Sequence, residues 1–131
     1  MRALSVRSPW WWWILNGGKI IENRSRITHR RGTIYIQASK YWNIKDVCQD
    51  HMDAMNIYRK VNQEFLESAP PIDTLESCLG HVVGTVDIVD CVTNHDSPWF
   101  HGPYGYVLEN PKIIEPFLVQ GKLGFFKVEE K

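Results

Sequence analysis

The chain lacks most of what would mark a function at first sight. Its 15 basic and 15 acidic residues cancel to a net charge of zero. A polyanion binder working through bulk charge is therefore excluded, and any nucleic-acid site has to be local. Its three cysteines, Cys48, Cys78 and Cys91, are odd in number and have no framework spacing. That excludes a disulfide scaffold and points to a reducing, cytoplasmic compartment. No apolar run approaches the roughly 18 residues of a membrane span. The stretch Pro9-Trp10-Trp11-Trp12-Trp13-Ile14-Leu15 is short and polar-flanked, and no small-residue cleavage site follows it, so neither a membrane partner nor a signal peptide is expected. There is no repeat, no low-complexity tract, no Gly-x-Ser-x-Gly, no phosphate loop and no dinucleotide fingerprint.

What is present is an ordinary globular composition. The chain has 131 residues, 44% of them apolar. That is one domain's length, 1–131, and enough to bury a core without disulfide or metal staples. Ala3 to Val6 is a short β-like start. Ser8-Pro9 reads as a capping hydroxyl followed by proline at the first helical position, opening a helix from Trp10 to about Asn16. Gly17-Gly18 stops it. Lys19 to Arg24 reads as extended and leads into a basic loop with Arg24, Arg26, Arg30, Arg31 and His29.

Thr33 to Ala38 is β-branched and aromatic, hence a strand. Residues 44–68 carry Ile44, Val47, Cys48, Met52, Met55, Tyr58, Val61 and Phe65 at one-sided helical spacing. Ala69-Pro70-Pro71 ends that helix. Gly80 to Val92 is a long β run with Gly84 as the place for a bulge. After a polar loop over 93–103 come strands Tyr104–Leu108 and Leu123–Val128, with Pro111 and Pro116 bounding a segment between them. So many short strands curl, and an α+β architecture follows: a small β-barrel with flanking helices.

Four groups of residues can carry chemistry. Lys19, Glu22 and Arg24 follow the glycine stop. In an extended segment Glu22 and Arg24 share a face, and Lys19 joins them only if the chain turns after Gly18. The spacing fits a ligand-facing cluster and a surface ion pair alike. The four consecutive tryptophans cannot all face one core; Trp10 and Trp13 fall near one helix face with Ile14, while Trp11 and Trp12 point elsewhere. Such rings, with Trp99 and Tyr104, suit stacking on bases or closure of the barrel ends. The basic loop suits phosphates or plain solvation. Finally, Cys48-x-x-His51 and Cys78-x-x-His81 form two Cys-x-x-His pairs, but Cys48 belongs to the apolar helix face and the spacing is not that of a zinc motif. His95, Asp96 and His101 form a looser group. No metal ligand is assigned.

Leu4-Ser5-Val6-Arg7-Ser8-Pro9-Trp10 followed by Gly17-Gly18-Lys19-Ile20-Ile21-Glu22-Asn23-Arg24 resembles the opening of ASCH-domain proteins, whose hallmark is Gly-x-Lys-x-x-Glu-x-Arg. Ile36 to Lys40, Gly84 to Val92, Ser97 to Phe100, Gly102 to Leu108 and Gly121 to Phe126 extend the resemblance over nearly the whole chain. The resemblance implies a PUA-like β-barrel, with the 44–68 helix as an insertion, and a cleft facing the hallmark residues. It also implies association with RNA. Some members of that family are enzymes. One branch, which deacetylates N4-acetylcytidine, pairs the hallmark lysine with a threonine three residues on; here that position is Glu22. Its separate glutamate has no assigned counterpart, Glu64, Glu67 and Glu76 being in range by order alone.

The leading expectation is an RNA- or nucleotide-binding module whose cleft is lined by Arg7, Trp10, Lys19, Glu22, Arg24, Ser39, Lys40, Trp99 and Tyr104. The alternative is a hydrolase acting on RNA or a modified nucleoside, with Lys19 and Glu22 as its catalytic pair. No cofactor is expected, apart from a divalent metal if the chain is a ribonuclease. A third alternative is a protein–protein adaptor that uses exposed tryptophans.

Overall fold

The computed structural model describes residues 1–62 and 72–129. Among the described residues, six strands form one curled, half-barrel sheet in the order β2-β5-β4-β3-β1-β6. In chain order they are β1 (Arg2–Val6), β2 (Ile21–Arg24), β3 (Gly32–Ala38), β4 (His81–Val92), β5 (Tyr104–Leu118) and β6 (Phe125–Lys127). Among the described residues three helices accompany them: α1 (Trp10–Asn16), α2 (Ile44–Asn62) and α3 (Ile72–Ser77). All pairings are antiparallel except that of β1 with β3. The α+β class and the small PUA-like barrel expected from the sequence agree with this architecture.

The core fills the concave side of the sheet. Leu4 and Val6 of β1, Ile34 and Ile36 of β3, and Val86 and Ile88 of β4 are each at most 4% exposed, and they pack with Trp11, Ile14 and Leu15 of α1. The opposite face of α1 packs Trp13 against Ile21, Trp99 and Ala54 of α2. A helix so apolar all round has to be covered on both sides, and α1 lies between the sheet and α2.

Gly84 marks a bulge, as anticipated. The β4–β5 register shifts between Val82 and Gly84. A Cβ at Gly84 would press on the Lys112 carbonyl and on Leu15, so only glycine lets α1 and β5 close on β4 there.

Several expectations need correction. Ser8 does not cap α1; Pro9 is the N-cap, and the Ser8 hydroxyl accepts the indole N–H of Trp11 at 2.9 Å. β5 is one strand of 15 residues, not a short strand followed by a proline-bounded segment. β2 pairs with β5 only as far as Val107, so Pro111 and Pro116 lie where β5 has a partner on one side only, and a missing N–H there is tolerated. The buried face of α2 is set by Val47 and Ala54, with His51 and Tyr58 half-buried, whereas Ile44, Cys48, Met52 and Val61 are exposed. Ala54 shares a buried cluster with Trp13, Ile21 and Trp99. Phe65, the remainder of the expected 44–68 helix and its Ala69-Pro70-Pro71 stop lie outside the described residues, as do Glu64 and Glu67. α3 had no counterpart in the sequence reading.

Candidate functional site

The site begins where α1 ends. A Cβ on Gly17 would overlap the Trp13 ring, and Gly18 has φ +71°, a conformation that side chains resist. The amides of Gly17 and Lys19 both bond the Trp13 carbonyl, at 2.9 and 3.1 Å. This turn brings Lys19 back to the side of Glu22 and Arg24, which simple strand alternation would have denied it.

The three side chains converge. The Lys19 ammonium bonds the Ile21 carbonyl and reaches Glu22 Oε1 at 3.4 Å. Glu22 Oε2 takes two contacts from Arg24, from Nε at 2.8 Å and from Nη2 at 2.7 Å. Arg24 Nη2 also donates to the Ser5 carbonyl of β1 at 2.6 Å. β2 is one edge of the sheet and β1 lies near the other, so Arg24 clasps the two ends of the curl while fixing the carboxylate. Lys19 and Glu22 are 4% and 6% exposed. These are buried charges, not the solvated surface pair that spacing alone also allowed. Burial pushes the Lys19 ammonium below the ordinary lysine range, and Arg24 pushes the same way; Glu22 opposes both.

The cluster forms part of the wall of a cavity of about 370 Å³, within the usual range of roughly 300–1,000 Å³ for small-ligand sites. Arg7, Trp10, Ser39 and Trp99 also line it, so the structure brings together seven of the nine residues singled out in the sequence. Trp99 is part of the wall: it is 2% exposed, with its ring 6.1 Å from that of Trp13. Tyr104 lies outside the lining, pairing with Arg24 across β2–β5 and packing on the core. Lys40 lies in an adjoining cavity. Charged side chains in the lining number three cations, Arg7, Lys19 and Arg24, against one carboxylate, Glu22. The cavity therefore favours an electron-rich or anionic occupant.

α2 steadies one side. Burial pushes the Asp50 carboxyl of α2 up, and the neighbouring Trp10 indole opposes that shift. The Lys19 ammonium stands 5.4 Å from the Trp10 ring centre, and the Arg7 guanidinium lies 4.2 Å over Tyr41. The Trp13 indole donates to His51 Nδ1 of α2 at 3.3 Å, and burial lowers the pKa of that histidine.

Sequence reasoning missed Asn23. Its Nδ2 donates to the Trp99 carbonyl at 3.0 Å, and its Oδ1 accepts the amides of His101 and Gly102 at 2.8 and 3.0 Å. It pins the β4–β5 loop to the cavity. The signal was available, since asparagine is depleted in strands unless it bonds a neighbouring segment. Ser5, Val6, Ser25, His101, Leu123 and Gly124 also line the cavity.

None of the six tryptophans is fully exposed; Trp10, Trp12 and Trp42 are half-buried. In the basic loop Arg31 donates to the carbonyls of Thr28 and Arg30, at 3.2 and 2.8 Å, and Arg30 lies 5.3 Å from the Phe125 ring centre. Among the described residues, no group of three or more His, Cys, Asp or Glu side chains is placed to hold a metal. No helix among them is long and apolar enough to cross a membrane.

Fold and cavity together define a small curled-sheet α+β domain with a buried Lys–Glu–Arg cluster at one cavity. No protein-family profile matches the chain. It is similar to Activating signal cointegrator 1 of Homo sapiens, at 27% identity over 98% of the chain, and to the Mus musculus protein of the same name, at 25% over the same share. The chain spans about a fifth of the length of these relatives, 22% of each. The similarity is distant homology to a protein that carries an ASCH domain.

Proposed function

We propose that the chain is an ASCH-type, PUA-like unit over residues 1–131, with α2 as an added helix, and that its cavity takes a nucleobase, in RNA or as a nucleotide. The observation that carries this reading is the convergence of Lys19, Glu22 and Arg24 on one cavity whose lining also includes Trp10 and Trp99. A base carries N–H donors and carbonyl or ring-nitrogen acceptors side by side on one edge. Glu22 can only accept while ionised, and Lys19 can only donate while protonated. A wall alternating the two suits such an edge, and Trp10 offers an aromatic face on which the base can stack. The resemblance to ASCH domains and the distant relationship to Activating signal cointegrator 1 point the same way.

The test is equilibrium binding of a short mixed-sequence single-stranded RNA to the wild type, Lys19→Ala and Glu22→Ala. Both variants should lose at least about tenfold in affinity, the scale of one hydrogen bond to a charged group. Unchanged affinity in both, with the fold intact, would remove the base from this cavity.

One observation favours a hydrolytic second reading. A desolvated lysine with a lowered pKa beside a carboxylate, in a cavity, is the kind of perturbed pair that enzymes use. Here Glu22 would take the proton from an attacking water and Lys19 would stabilise the developing oxyanion. Incubation with acylated nucleosides and with short RNA, with and without magnesium or manganese, decides it. Turnover that disappears in Glu22→Gln supports hydrolysis, and none in any condition leaves the binding module.

A further inference from the structure

Beside the candidate cavity lies a second, of about 320 Å³, lined by Ser5, Gln37, Ser39, Lys40, Gly121, Lys122 and Leu123. Ser5, Ser39 and Leu123 line both cavities, so the two adjoin along one shared wall. Their chemistry differs. The first has aromatic walls and a carboxylate. The second has two lysines and no acidic side chain in its lining.

Among the described residues, neither Lys40 nor Lys122 takes part in an ion pair, and neither ammonium is engaged in a hydrogen bond. By contrast Lys19, Arg24 and Arg31 each have a carboxylate within reach. Two exposed lysines thus border one hollow whose lining holds no acid, and that charge balance favours an anionic occupant.

The hollow is built by close backbone approaches. A Cβ on Gly121 would overlap the Gln37 amide, so glycine is what lets the 121–123 segment lie against β3 and carry Lys122 to the cavity. Gln37 is itself 2% exposed and is held by bonds from Nε2 to the carbonyls of Gly80 and Val119, at 3.0 and 3.1 Å. On the other side the Lys40 stem packs beside Gly80, where a Cβ would come within 3.0 Å of Lys40 Cε. Ser39, on the shared wall, accepts the Tyr41 amide at 3.2 Å. Its hydroxyl hydrogen remains available to donate.

We infer that this second cavity is a phosphate subsite, in which Lys40, Lys122 and the Ser39 hydroxyl hold the phosphate of the nucleotide whose base occupies the first. The inference rests on the base-binding reading for its division of labour between the two cavities. Lysine suits the task as a compact point charge for phosphate oxygens. A terminal phosphate of a free nucleotide and the phosphodiester of a strand offer the same chemistry, and the test separates them.

The experiment is calorimetric titration of the whole chain with the common ribonucleosides, their 5′- and 3′-monophosphates and a trinucleotide. Phosphorus NMR linewidths of inorganic phosphate are recorded alongside. Wild type is compared with the double variant Lys40→Met/Lys122→Met, which keeps the apolar stems. A monophosphate should bind about 10- to 100-fold tighter than its nucleoside, the scale of one to two charge-assisted contacts. The double variant should erase that advantage, leave nucleoside affinity unchanged and abolish the broadening of inorganic phosphate. If the trinucleotide loses the same factor, the subsite takes a phosphodiester; if only a monophosphate does, it takes a terminal phosphate.

Equal affinity for nucleoside and monophosphate, or an advantage that survives the double variant, overturns the subsite. If no nucleoside binds yet inorganic phosphate broadens in the wild type alone, the anion site stands and the base reading fails. If neither binds, both are overturned.

Discussion

Replacing Arg24 by alanine separates the roles of the clasp. The guanidinium makes two contacts to Glu22 Oε2, at 2.8 and 2.7 Å, and one to the Ser5 carbonyl at 2.6 Å. Its loss leaves a 6% exposed carboxylate facing only Lys19 at 3.4 Å. Removing one partner of a fully buried pair costs about 3–5 kcal/mol. Arg24 is a quarter exposed and Lys19 still partners Glu22, so the lower end applies and is reduced further, to about 2–3 kcal/mol. For a domain of this length that is a fall in Tm of roughly 10 °C. The assay is thermal and urea unfolding of wild type, Arg24→Ala and Arg24→Lys. Arg24→Lys keeps the charge but loses the fork and should fall between the other two. If Arg24→Ala keeps the wild-type Tm while RNA binding is lost, the clasp is not structural and Arg24 acts only on the ligand.

Three other outcomes follow from the same geometry. The Lys19 pKa is lowered in the folded chain, so the folded state holds that proton less tightly than the unfolded one. Wild type should therefore gain stability relative to Lys19→Met as pH rises from the folded pKa towards the ordinary lysine value; a difference that does not change with pH contradicts the buried ammonium. His51 also has its pKa lowered by burial, and its Nδ1 accepts from Trp13. Stability should fall as pH drops through the ordinary histidine value towards the folded one, more steeply in wild type than in His51→Gln, as followed by Tm at pH 7.5 and 5.5. Asn23→Ala frees the loop at residues 99–102 from three hydrogen bonds. It should cost about 1–2 kcal/mol and weaken ligand binding more than its stability loss explains; binding unchanged at full saturation would place that loop outside the site.

The sequence carried the hallmark segment, α1, the strands and the Gly84 bulge, because local signals fix them: glycine stops, β-branched runs and the 3.6-residue period. Five of the seven candidate residues that meet at the cavity, Arg7, Trp10, Lys19, Glu22 and Arg24, do so because the first helix and the hallmark adjoin in sequence, whereas Ser39 and Trp99 are brought there by tertiary contacts. Tertiary contacts decided the rest. Cys48 sits on an apolar pattern yet is exposed, because the face that α2 turns inward is that of Val47, His51, Ala54 and Tyr58. β5 runs through two prolines because β2 is only four residues long. Trp99 looked like a stacking ring, but Asn23 draws its loop inward, and no periodicity reports a hydrogen bond spanning 76 positions.

The most direct test of the central reading is an amide and indole NMR titration of the chain with a short single-stranded RNA. Shifts should concentrate on the Trp10 indole, residues 18–25, Ser39 and the loop at residues 99–102, and should vanish in Glu22→Ala. Shifts confined to the outer half of β5, residues 109–118, or shifts untouched by Glu22→Ala, would contradict it.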